Sequence, residues 1–154
     1  MIGIRIAGGL PAVATLAVST ACTTSTPATH AKAPASAAAS EHPAETLTPL
    51  LQQALPNVKG KTFTSAVVDF PPSARAVPHR HGQAFVYAYV LDGTVRSKLD
   101  GKAVSTYQQG ENWVEPPGAH HVLTENTSRT KPAKLLVVFV SDTGDELKVD
   151  DPRS

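Results

Sequence analysis

Between Lys61 and Val140 this chain is never allowed to run far in one direction. Turn signals recur at Pro71-Pro72, Pro78, Asp92-Gly93, Asp100-Gly101, Gln109-Gly110-Glu111 and Pro116-Pro117-Gly118, and again in the polar loop from Asn126 to Pro132. Proline fixes φ and glycine admits positive φ, so each of these ends or redirects a regular segment. The runs between them are short and rich in β-branched and aromatic residues. Thr62 to Phe70, Ala84 to Leu91, Thr94 to Leu99, Lys102 to Tyr107, Asn112 to Val114, His120 to Glu125 and Leu135 to Val140 all read as strands. There is no alternation of strands with helices and no internal repeat. Many short strands with close turns predict an all-β sandwich or barrel, and a barrel also removes the exposed edges that so many strands would present.

Finer expectations follow from the same reading. Asp92-Gly93 and Asp100-Gly101 are hairpin signals. Phe85, Tyr87, Tyr89 and Leu91 share one face of their strand and are expected to fill the barrel. Trp113 is expected to pack, and Leu135 to Val140 to be buried on both faces. Ahead of the strands, Leu47, Leu50, Leu51, Ala54 and Leu55 recur at helical spacing, with Thr48 as a cap and Pro49 at the first helical position. This predicts one short N-terminal helix over an end of the domain. The barrel is expected over 46–145, with 146–154 as a polar surface tail.

The front of the chain has a different character. Arg5 precedes an apolar run from Ile6 to Val18, too short to span a bilayer, which needs about 20 such residues. Small residues follow, and Cys22 lies directly behind Ser19-Thr20-Ala21. Charge, short apolar core and small residues form the order of a secretory signal over 1–21. The placement of Cys22 looks like a bacterial lipoprotein signal, in which the cysteine carries a lipid. Ser19 departs from the aliphatic residue usual there, and ordinary cleavage after Ala21 fits as well. Residues 22–45 are mostly Ala, Thr, Ser and Pro and cannot bury enough surface to offset their ordering entropy. They read as a disordered tether, with His30 and His42 solvated within it. The expected location is outside the cytoplasm, periplasmic or at the cell surface, with membrane contact only through a lipid on Cys22.

The formal net charge of +1 gives no basic footprint for nucleic acid. No nucleophile with a base and no phosphate loop is evident. The histidines carry the chemistry. His79 and His81 are two apart, so on an extended strand they face the same way. His120 and His121 follow Pro116-Pro117-Gly118, and alternation lets only one of them face inward. Three converging imidazoles suit Zn, Cu, Fe and Ni.

These residues resemble a cupin, the small double-stranded β-helix or jelly-roll barrel. The family's first motif has His-x-His, three or four residues, a glutamate, six residues and a glycine; His79, His81 and Gly93 match. The second motif is Gly, five residues, Pro-x-Gly, two residues, His, three residues, Asn. Gly110, Pro116, Gly118 and His121 match, and Asn126 falls one place late. The resemblance covers roughly residues 61–141. It implies a divalent metal (Fe, Zn, Ni, Cu or Mn) on His79, His81 and His121, with His120 outside. It also implies a small-molecule substrate or ligand and a homodimer. The motif glutamate falls on Phe85 or Val86, neither of which binds metal. Gln83 is the nearest polar side chain, a candidate fourth ligand or hydrogen-bonding partner to one. Glu111 and Glu115 lie near the second motif, but no spacing aims them inward. Some cupin dioxygenases use three histidines alone. Two functions therefore follow from the resemblance: an oxygenase-type enzyme acting on a small organic molecule, or a non-catalytic module that binds a small ligand or metal at the cell surface.

Overall fold

The structure, a computed structural model, describes residues 42–152. The expected signal, Cys22 and nearly all of the tether lie outside those residues. The described chain is all strand: β1 (Thr46–Ala54), β2 (Lys61–Phe70), β3 (His79–Arg80), β4 (Phe85–Asp92), β5 (Thr94–Leu99), β6 (Ser105–Gln108), β7 (Asn112–Glu115), β8 (His120–Asn126), β9 (Ala133–Asp142) and β10 (Val149–Asp150). They form two five-stranded antiparallel sheets, ordered β1-β2-β9-β4-β7 and β10-β3-β8-β5-β6. Two such sheets facing each other make a jelly roll.

The two inner faces differ, and the difference positions the site. The first sheet contributes mainly apolar side chains: Val68 and Phe70 from β2, Val86, Ala88 and Val90 from β4, and Leu135, Val137 and Phe139 from β9. Phe70 and Phe139 are among the largest fully buried side chains, each worth roughly 1.5–3 kcal/mol by burial. The second sheet turns polar groups inward. His79, Ser97, His121, Thr124 and Asn126 are all buried. Buried polar groups are costly unless paired, so this face is organised by hydrogen bonds.

Several expectations are corrected. Residues 46–54 form β1, an edge strand along β2, where a helix was expected. A single helix of nine residues is marginal alone, whereas β2 offers ten residues of ladder. The register slips between Pro49 and Leu51, and every residue of β1 is exposed, so its leucines line no buried face. On β4, alternation is correct but the inward face is the other one. Val86, Ala88 and Val90 point in, while Phe85, Tyr87 and Tyr89 lie cross-strand from Val140, Val138 and Leu136 on the outer face. Small side chains inside leave the barrel a cavity that aromatic ones would fill. β9 likewise buries one face fully and the other only in part.

Asp100-Gly101 turns β5 into its partner β6, as expected of a hairpin. Asp92-Gly93 does not: β4 and β5 belong to different sheets, so this turn is the corner between them. Gly93 has φ 77°, and a Cβ there would stand 2.8 Å from the Pro132 carbonyl oxygen. Only glycine meets both conditions. The C-terminal segment is more than a surface tail. Val149 and Asp150 pair with Arg80 and His79, which extends the second sheet beside the histidines.

Candidate metal centre

β3 and β8 are antiparallel neighbours, with His79 directly opposite His121 and Arg80 opposite His120. That register sends His79 and His121 inward together. His81 follows β3 on the same side, and Gly118 N–H donates to the Gly82 carbonyl, tying the two histidine-bearing loops. The ring centroids of His81 and His121 lie 4.7 and 5.1 Å from that of His79. Each imidazole offers one nitrogen, and the three lie within 4.8 Å of one another.

Backbone carbonyls set the tautomers of two rings. His79 Nδ1–H donates to the Val77 carbonyl at 2.7 Å, and His81 Nδ1–H donates to the Leu147 carbonyl at 2.5 Å. In each neutral ring the Nε2 lone pair is then left for another partner, the arrangement that fixes a metal-ligating histidine. Burial, aided by the neighbouring imidazoles, pushes His79 down to about 4; burial likewise lowers His81. Both are therefore neutral at pH 7, the form that binds metal. His121 sits between Glu115 Oε1, 3.0 Å from its Nδ1, and the hydroxyls of Ser97 and Thr124, 2.8 and 2.7 Å from its Nε2. His120 points away and pairs with Asp151 at 2.7 Å.

Glu115 is the residue that sequence spacing missed. It is 2% exposed, at the end of β7. Trp113 Nε1–H donates to its Oε1 at 3.1 Å, and its Oε2 lies 3.7 Å from His81 Nε2 with no hydrogen-bond partner. Burial raises the Glu115 carboxyl, but the hydrogen bond and charge of His121, then His81 and Trp113, outweigh it and hold the group below its ordinary value. A signal was present in the sequence: Trp113 and Glu115 are two apart on a strand, so a buried tryptophan carries the glutamate inward with it. Glu111 is exposed, as is Gln83, which is not among the residues lining the cavity.

Around these groups is a cavity of about 240 Å³. Val68, Phe70, Ala88, Leu135, Val137 and Phe139 form its apolar wall, and Glu45, Leu47 and Lys148 its more exposed one. Lys148 is held by Glu45 at 2.9 Å and Asp150 at 2.7 Å. Trp113 both packs, stacked on Tyr107 with centroids 4.6 Å apart, and lines the cavity. Asn126 is structural. Its Nδ2–H₂ donates to the carbonyls of Phe70, Pro71 and Lys131, and its Oδ1 accepts from Ser128 N–H.

The donor set fits a divalent transition metal: two imidazoles whose lone pairs are oriented by backbone carbonyls, a third, buried imidazole, and a buried carboxylate oxygen lacking a partner. Comparison with known proteins gives the same frame. Residues 66–139 match the cupin domain family model. Similar solved structures include the Cnp3 cupin domain of Schizosaccharomyces pombe, 16% identical over 64% of this chain and 62% of that one, with a TM-score of 0.53. The DMSP lyase DddQ of Ruegeria pomeroyi DSS-3 is 20% identical over 68% and 50%, with a TM-score of 0.56. An oxalate oxidase bound to the substrate analogue glycolate is 21% identical over 64% and 55%, with a TM-score of 0.51. The chain spans no more than 62% of any of these three, and the likeness is one of fold. No curated protein matches the chain.

Proposed function

We propose that the described domain is a metal-binding cupin that acts on a small organic molecule; the cupin domain model matched over residues 66–139 and the likeness of fold to solved cupins support this reading. The observation that carries this reading is the convergence of His79, His81 and His121 within 4.8 Å at the wall of an apolar cavity. Two of the three rings are already fixed as Nδ1–H tautomers by backbone carbonyls. The cavity, about 240 Å³, falls below the roughly 300–1,000 Å³ of drug-sized sites, so the ligand is small. Its wall holds an apolar part of that ligand and excludes water from it. When bound, the metal supplies a Lewis acid with positions left open for substrate, water or oxygen. An oxygenase-type reaction is the enzymatic form of this proposal. Lys148, neutralised by Glu45 and Asp150, gives the pocket no spare cation.

Elemental analysis of the domain, purified without a histidine tag, tests the reading. About one divalent transition metal per chain is expected, lost in His79→Ala and His121→Ala. Metal-free protein whose stability neither substitution alters, in metal-supplemented buffer, overturns it. Oxygen uptake on a panel of small acids and alcohols, abolished by chelator, then identifies an enzyme. Stabilisation by a ligand without turnover identifies the second reading, a binding module.

A further inference from the structure

We infer that Glu115 is the acidic ligand of this metal site, supplied from β7 in the first sheet to imidazoles carried by the second. The inference rests on the metal-binding reading above and adds a ligand that neither the histidine cluster nor the first sequence motif contains.

Glu115 Oε1 already accepts from Trp113 Nε1–H at 3.1 Å, and His121 Nδ1 lies 3.0 Å from the same oxygen. Oε2 has no partner and is sealed from water. The group it faces, at 3.7 Å, is His81 Nε2. The Nδ1–H of that ring is already donated to the Leu147 carbonyl, so the neutral ring presents a lone pair at Nε2. Two lone pairs thus confront each other in a buried site with no proton between them. A buried acceptor left unpaired costs about 1–3 kcal/mol, and more when charged. A cation bound by both atoms removes that cost on both sides at once. A carboxylate that only oriented His121 would need Oε1 alone.

The register adds an independent point. Glu115 is directly cross-strand from Val86, and Val86 is directly cross-strand from Phe139. Residues opposite each other on antiparallel strands share a face. Val86 is one of the two positions at which the first motif, as matched here, would place its glutamate. The carboxylate therefore reaches the cavity from the neighbouring strand, at the same level of the barrel, and its charge partly offsets that of a divalent metal.

Cobalt(II) titration of the tag-free protein tests this, with two readouts: the dissociation constant, and the visible ligand-field spectrum, which reports the donor set independently of any activity. Wild type is expected to bind one equivalent. Glu115→Gln keeps the acceptor for Trp113 and removes the charged ligand. It is expected to weaken binding by about tenfold or more and to change the shape of the spectrum. Adding Val86→Glu to Glu115→Gln is expected to restore much of the affinity. If Glu115→Gln does not fold, Glu115→Asp, which withdraws the carboxylate by one methylene, must change the spectrum in its place. Unchanged affinity and spectrum in the folded variant overturn the inference and leave the metal site intact. Weaker binding with an unchanged spectrum also overturns it, since Glu115 then only positions His121. Absence of cobalt binding in wild type instead removes the metal-binding reading itself.

Discussion

Replacing Asn126 with alanine is expected to be among the most destabilising changes away from the histidines. The side chain is 3% exposed, and its two amide protons serve three carbonyls, at 3.1 Å for Phe70, 3.1 Å for Pro71 and 2.8 Å for Lys131. Its oxygen accepts from Ser128 N–H at 2.9 Å. Two protons and one acceptor make about three full hydrogen bonds, each worth a net ~1 kcal/mol, and the buried carbonyls left behind raise the sum. A loss of about 3–4 kcal/mol follows. With a urea slope of about 1.5 kcal/mol/M for a domain of this size, the midpoint should fall by roughly 2–2.7 M. Asn126→Asp is a sharper test. It preserves shape but sets an anionic acceptor against three carbonyl oxygens, so at neutral pH it should be no more stable than the alanine variant. A shift below about 1 kcal/mol for alanine, or an aspartate variant as stable as wild type, would refute this account of how β8 is anchored to the ends of β2 and the loop before β9.

Two further outcomes follow from the geometry. The metal-free protein should lose stability as pH falls from about 6.5 towards 4, because the unfolded chain takes up a proton at His79 that the folded state, held at about 4, refuses. The His79 share is worth roughly 3 kcal/mol, and it should be missing from urea titrations of His79→Asn, which has no ring to protonate, leaving the share of His81, which burial also lowers. Gly93→Ala should cost more than an ordinary glycine replacement, about 2 kcal/mol or above, because φ is 77° and the new Cβ meets backbone atoms within 3 Å. Thermal melts decide it, and a neutral result would mean that the corner between the sheets relaxes freely.

The barrel was legible because its signals are local. Turn residues and period-2 runs marked most of the strands from β2 to β9 to within a few residues, and the His-x-His spacing needed only alternation. What escaped depends on distant pairing. β1 looked helical from the spacing of its leucines, and only its ladder against β2 makes it a strand. The inward face of β4 could not be chosen from its own sequence, since both faces are apolar and the decision lies with the cavity. Alternation from Trp113 could turn Glu115 inward, but its place beside the histidines became visible only once β7 was paired with β4, and that of Leu147 only once its carbonyl was found against His81. Each of these contacts joins segments far apart in sequence.

His79 and His121 are carried by one layer of the barrel and Glu115 by the other. Tyr107 and Trp113, stacked beside them, also join the two layers. A metal held as proposed, from both sides, would act as a cross-brace, and pulling it out would slacken the whole roll rather than one loop. Vacating the centre and loosening the clamp between the layers would then be a single event.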